Sequence, residues 1–184
     1  MYRLDLHTEQ WIQEQDMKQA VTDHCAVAYN ELIYVFTGCD KASDKSNWTD
    51  NISIKAQRYF YPSSSWIFLA DMPRKCTSAA AVGMDKHIYV VGGYEGTTLR
   101  YTPDSNTWSA LSRTLWKHGF GAAVVYNNQL LVMGGKDKDR DRPCSMKPHC
   151  HIEVYDTQTD RWAPWITKLH QDLWDIHVFA IKAP

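Results

Sequence analysis

The densest cluster of chemically capable side chains in this 184-residue sequence is Cys144, His149, Cys150 and His151, two thiols and two imidazoles within eight residues. Thiolate and imidazole are the donors zinc prefers, and imidazole also suits copper. A structural zinc site brings two ligand pairs separated by a longer structured stretch, and no second pair stands elsewhere. Three consecutive ligands, His149, Cys150 and His151, would also point to alternating sides of an extended chain. The cluster therefore reads as a polar insertion, with no metal and no cofactor assigned. His118 and His177 stand at no recognisable ligand spacing and read as solvent-facing or hydrogen-bonded structural residues. Nothing matches a GxSxG elbow, a phosphate-cradling glycine loop, HExxH or a carboxylate pair, so an enzyme is not expected.

Composition narrows the class further. The chain is 44% hydrophobic, 12% aromatic and 22% charged, which is globular and excludes disorder, collagen-like and coiled-coil chains. Twenty Lys and Arg against 21 Asp and Glu leave a net charge of −1, without the broad basic surface of a nucleic-acid or anionic-membrane binder. No apolar run is long enough to span a bilayer, and the first residues lack the apolar core of a signal peptide. Five cysteines, Cys25, Cys39, Cys76, Cys144 and Cys150, form no close-spaced framework and suit a reducing compartment. The expected location is cytoplasmic, with cytoskeletal or nuclear placement as variants. The glycosylation acceptors spelled at Asn47 and Asn51 then read as coincidence.

The elements that position these residues are repeats. Trp11, Trp66, Trp108 and Trp162 recur at intervals of 55, 42 and 54 residues, and Tyr59, Tyr101 and Tyr155 each stand seven residues before a tryptophan, with turn-forming residues between. Upstream, IYVFTG (33–38), IYVVGG (88–93) and LLVMGG (130–135) recur in the same phase. Asn30, Asp85 or Asn127 precedes each by three residues, and a small-residue run stands before that. Each unit is thus four antiparallel strands. Small first strands suit copies crowding about an axis, Gly38, Gly92, Gly93, Gly134 and Gly135 suit positive φ or close backbone approach, and the Tyr and Trp rings suit the wedge between sheets. These are features of propeller blades.

The paired glycines, the later tyrosine and the tryptophan seven residues on resemble the kelch repeat. The fold expected is all-β, a kelch-type β-propeller with three full four-stranded blades and two partial ones. The blades run 18–70, 71–111 and 112–165, flanked by the end of a blade at 1–17 and the start of one at 166–184, with a first strand at 173–181. An open arc, part of a longer propeller, is therefore expected. A composite blade joining 173–181 to 1–14 would lack its second strand.

Met72 followed by Pro73 before a repeat resembles the BTB-kelch, or kelch-like, proteins. That resemblance implies a protein-interaction module, the substrate-recognition part of a cullin-3 ubiquitin ligase adaptor reached through a BTB domain absent from this sequence. Actin or cytoskeletal binding is the alternative within the family. Galactose-oxidase-type enzymes share only blade architecture, and a copper oxidase would draw on His118, His149, His151 and His177.

The connection between second and third strands is long at 39–52 and 136–149 and short at 94–97, the variation expected of a binding face on a rigid scaffold. By family resemblance that face would be lined by Lys41, Lys45, Trp48, Tyr94, Glu95, Lys136, Lys138, Arg140 and Arg142, with Asp23, Ser78 and His118 nearer its centre. Trp48, an aromatic in a polar insertion, would anchor an interface or pack under its own loop. The alternating charges of 136–142 otherwise describe a solvated loop. Thr37 replaces the first glycine of one pair, so that turn would bend differently or be weaker. Val21, Cys76 and His118 stand near the places where the family's arginines read acidic partners, with Arg74 and Arg113 displaced upstream.

Overall fold

The computed structural model describes residues 1–40, 51–138 and 146–180. Three four-stranded antiparallel sheets form its body. The first is built from β4 (Cys25–Tyr29), β5 (Leu32–Phe36), β7 (Ala56–Phe60) and β8 (Ser65–Phe68) in that order. The second follows with β9 (Ala79–Met84), β10 (His87–Gly92), β11 (Thr97–Thr102) and β12 (Thr107–Ala110), and the third with β13 (Ala122–Tyr126), β14 (Gln129–Met133), β17 (Ile152–Asp156) and β18 (Arg161–Pro164). Asn30, Asp85 and Asn127 turn the first hairpin of each sheet at φ of 48°, 53° and 47°, a conformation Asn and Asp tolerate better than other side chains.

Short pairs flank the sheets: β1 (Tyr2–Asp5) with β2 (Gln10–Gln13), β3 (Val21–Thr22) with β6 (Cys39–Asp40), and β15 (Lys136–Lys138) with β16 (Met146–Pro148). The last of these makes the long connection between β14 and β17 a hairpin. Residues 166–180 run along the third sheet without forming a strand. Leu173 makes one bridge to His149, and no sheet neighbour stands beside the segment among the described residues.

Alternation along the second strands divides the core. Tyr34 and Phe36 face the second sheet, where they meet Ile88, Val90, Leu99 and Tyr101. Tyr89 and Val91 face the third, against Leu130, Val132, Tyr155 and Trp162. Each sheet is thus covered by the next, and burial of each large side chain contributes about 1.5–3 kcal/mol. Tyr59, Tyr101 and Tyr155 lie directly across the hairpin from Trp66, Trp108 and Trp162, with ring centroids 5.2, 4.8 and 5.0 Å apart.

The indoles also tie each blade to the chain entering it. Trp66 Nε1 donates to Gln15 O, Trp108 Nε1 to Ala70 O and Trp162 Nε1 to Ser112 O, at 2.9–3.1 Å. Two residues before the last two tryptophans, Asn106 and Asp160 hold φ of 50° and 53°. Their Oδ1 atoms accept from the Tyr101 and Tyr155 hydroxyls and from the Ala70 and Ser112 amides. In the first blade Ser64 takes that place, and Glu14 accepts from the Tyr59 and Ser64 hydroxyls instead. The turn clusters therefore close the hairpin and fasten the neighbouring blade together.

Candidate functional site: the loop face around the axis

The second strands end in left-handed turns, Thr37–Gly38, Gly92–Gly93 and Gly134–Gly135. A Cβ on Gly93 would lie 2.5 Å from Thr77 O and one on Gly92 2.8 Å from His118 Cβ, so the chains entering this blade and the next both pass where side chains would be. Thr37 holds a left-handed φ of 59° in the first blade despite its branched side chain.

These turns hold a ladder around the axis. Asp23, Ser78 and Phe120 stand just before the small-residue strands and Asp175 in the segment after the third sheet, all at φ between 53° and 58°. The Ser78 amide donates to Asp23 O, the Phe120 amide to Ser78 O and the Asp175 amide to Phe120 O, at 3.1, 2.9 and 2.8 Å. Together with Ala26, Ala80 and Ala123 these residues line a cavity of about 480 Å³ along the axis.

The residue in phase with Asp23 and Ser78 is thus Phe120 and not His118, which stands two positions earlier. The His118 ring is fully enclosed. Its Nδ1 faces the Gly134 carbonyl at 2.6 Å and its Nε2 faces Glu153 Oε1 at 2.8 Å. A carbonyl oxygen only accepts, so Nδ1 donates to Gly134, and Nε2 pairs with the Glu153 carboxyl group. Glu153 also accepts the Leu115 and Trp116 amides, at 2.7 and 2.9 Å, which compensates its complete burial. His118 therefore positions the connection into the third blade and offers no surface to a ligand.

The other candidates divide by exposure. Asp23 is exposed at the mouth of the cavity, whereas Ser78 is buried and works through its backbone. Glu95 is half-buried; it accepts the Thr77 amide through its carboxylate and Arg113 through its carbonyl, and burial raises its pKa above the ordinary value. Tyr94, half-buried, sets its ring edge against Phe120 at 5.7 Å, and Phe120 meets Trp174 at 6.2 Å. Lys136 places its ammonium 3.1 Å from the centre of the Trp174 ring. Lys138 belongs to β15, paired with Met146. Lys41, Lys45, Trp48, Arg140 and Arg142 lie outside the described residues, as does Cys144.

The histidines of the insertion are engaged with the protein. His149 Nε2 donates to Lys117 O and its Nδ1 accepts the His151 amide, while His151 stacks on Trp116 at 3.9 Å. Burial lowers the pKa of both imidazoles. Among the described residues no three His, Cys, Asp or Glu side chains are placed to hold a metal ion.

Phe120, Trp174 and Glu153 were missed by sequence reasoning. Repeat phase alone points to Phe120, which follows Ser78 by the 42-residue interval that separates Trp66 from Trp108. Glu153 carried a signal as well, being a carboxylate two residues before Tyr155 where the second blade has Leu99. Trp174 carried none, because its position depends on where the segment after the third blade settles.

Comparison with known proteins agrees with this architecture. The Kelch motif matches residues 75–113 and 119–164. Kelch-like protein 38 of Rattus norvegicus is 26% identical over 162 residues, 88% of this chain and 26% of that protein. Alpha-scruin of Limulus polyphemus is 24% identical over 168 residues, 86% of this chain and 18% of its own. The chain thus spans about a quarter or less of these relatives. The solved structure of YjhT superposes with a TM-score of 0.64 at 16% identity, covering 82% of this chain and 53% of YjhT. Three sheets in register, fastened through phased Tyr, Trp and glycine pairs, make this chain a run of kelch repeats folded as a partial β-propeller and resembling the kelch domains of kelch-like proteins.

Proposed function

We propose that the loop face of this arc binds a partner protein or peptide, and that the chain is the substrate-recognition part of a cullin-3 ubiquitin ligase adaptor working in the cytoplasm. The observation that carries the binding reading is the row Tyr94, Phe120 and Trp174 with Lys136 laid over it, aromatic surface on the loop face beside the open mouth of the axial cavity. Aromatic and cationic side chains of this kind anchor interfaces, and here a rigid ladder holds them in place. The contact set is Asp23, Tyr94, Glu95 and Lys136 with Phe120 and Trp174, extended by Lys41, Lys45, Trp48, Lys138, Arg140 and Arg142 from the two long insertions. On this reading the blades run 18–70, 71–111 and 112–165, and both insertions belong to the binding face. The ligase link rests on the likeness to kelch-like proteins. No helix among the described residues is long and apolar enough to cross a membrane.

The test is site-specific photo-crosslinking in cells. A crosslinker at Tyr94 or Lys136 should capture a discrete partner, and one at Ser105, in the β11–β12 turn away from this face, should not. Equal capture from both positions, or from neither, would end the reading. Co-precipitation of cullin-3 with the captured complex would support the adaptor role, and actin as the captured protein would replace it.

A further inference from the structure

We propose that the Phe120–Trp174 wall of the loop face is the seat of an arginine side chain supplied by the partner, and that Lys136 fills this seat until the partner arrives. This rests on the reading of the loop face as a binding surface and names the chemistry that surface selects. The Lys136 ammonium lies 3.1 Å from the centre of the Trp174 ring and 5.9 Å from that of Phe120. It forms no ion pair among the described residues, so ring faces hold this cation.

The scaffold does not demand a cation at this place. Cys39, Tyr94 and Lys136 follow the three left-handed turns, and the third blade alone puts a positive charge there. The Lys136 amide donates to Gly119 O at 2.8 Å and its carbonyl accepts the Gly119 amide at 3.2 Å, so the side chain can leave the rings while the strand stays. The rings themselves are fixed. The Phe120 amide donates to Ser78 O, and Trp174 stands between Leu173, whose carbonyl accepts the Gly135 amide, and Asp175, whose amide donates to Phe120 O. Tyr94 braces Phe120 edge-on, with its own ring packed where a Cβ on Gly119 would come within 2.7 Å. Trp174 is 46% exposed, which leaves its indole open to a ligand.

Charge and shape select the occupant. The cavity beside Phe120 is lined by the exposed carboxylates Asp23 and Asp175 and by no lysine or arginine among the described residues. Neither carboxylate forms a described ion pair, so the site favours a cation over an acidic group. A lysine of the partner would only exchange one ammonium for another. A guanidinium is planar and less strongly hydrated, stacks on an indole, and pairs with a carboxylate through two hydrogen bonds. Asp175, next to Trp174 in the chain, supplies such a carboxylate.

Retention of oriented peptide pools on the purified 184-residue chain tests this, each pool degenerate except for a central arginine, lysine or glutamate. The arginine pool should be retained about fivefold over the lysine pool, with the glutamate pool weakest. Trp174→Ala should abolish that preference. Lys136→Ala removes the resident competitor and should raise retention of the arginine pool about threefold, a gain that a misfolded chain would not give. Equal retention of the arginine and lysine pools, retention of neither, or a preference for glutamate overturns the arginine seat, and no gain in Lys136→Ala overturns the part given to Lys136. Where the seat fails but a crosslinker at Tyr94 still captures a partner, the loop face stands as a binding surface and its arginine selectivity alone is lost. Where that crosslinker also captures nothing, both readings fall.

Discussion

At the scale of single residues, the chain spends its unusual conformations and buried polar groups on joining blades. Thr37 sits at φ 59° where the other two blades have glycine, and a branched residue pays about 1–2 kcal/mol for that conformation. Thr37→Gly is therefore expected to stabilise the fold by about 1 kcal/mol, read from the urea midpoint; an unchanged or lower midpoint would show that the buried side chain repays its strain. Asn106→Ala removes one acceptor shared by the Tyr101 hydroxyl and the Ala70 amide, and should cost about 1–3 kcal/mol. His118→Ala leaves the Glu153 carboxylate enclosed without its imidazole and should cost about 3–5 kcal/mol, more than an exposed histidine could. Burial holds the Cys25 thiol well above its ordinary pKa and raises Cys76 to about 12, so alkylation of the native protein should reach half-buried Cys150 long before either.

At the scale of elements, strand periodicity and repeat spacing carried the blades, because the residues that identify them, Tyr59 with Trp66 and its two counterparts, meet across one hairpin and depend on little else. The loop face was only partly legible. Asp23 and Ser78 are rungs of the ladder by phase alone, but His118 was drawn in by its type, and its burial follows from a partner 35 residues away on β17 that no local pattern names. Trp174 on Lys136 depends on how the segment after the third blade lies, which is a tertiary outcome.

The histidines that follow β16 bring a pH response of their own. Burial lowers the pKa of His149 and His151 below the ordinary histidine value. The unfolded chain therefore takes up protons at about pH 6.5 that the folded chain refuses, so their stability contribution is intact above that pH and declines as the pH falls below it. The urea midpoint should be lower at about pH 5.5 than at about pH 7.5, and the difference should shrink in His149→Asn/His151→Asn. An unchanged difference in that variant would place the titration elsewhere.

At the scale of the whole molecule, the blades stand or fall as neighbours. Each sheet is covered by the next, each tryptophan of the three blades donates to the chain entering its own blade, and the ladder at the loop face links three of these connections to the segment that follows. A binding face assembled from loops of different blades keeps its shape only if this ladder holds them in one frame. Residue-resolved amide hydrogen exchange measures that directly. The Ser78, Phe120 and Asp175 amides, all in loops, should exchange as slowly as the interior of β10 and β14, because the ladder opens only when blades separate. Exchange of these amides at the rate of free loops, beside protected strands, would mean that the blades are joined loosely and that the loop face is not one surface.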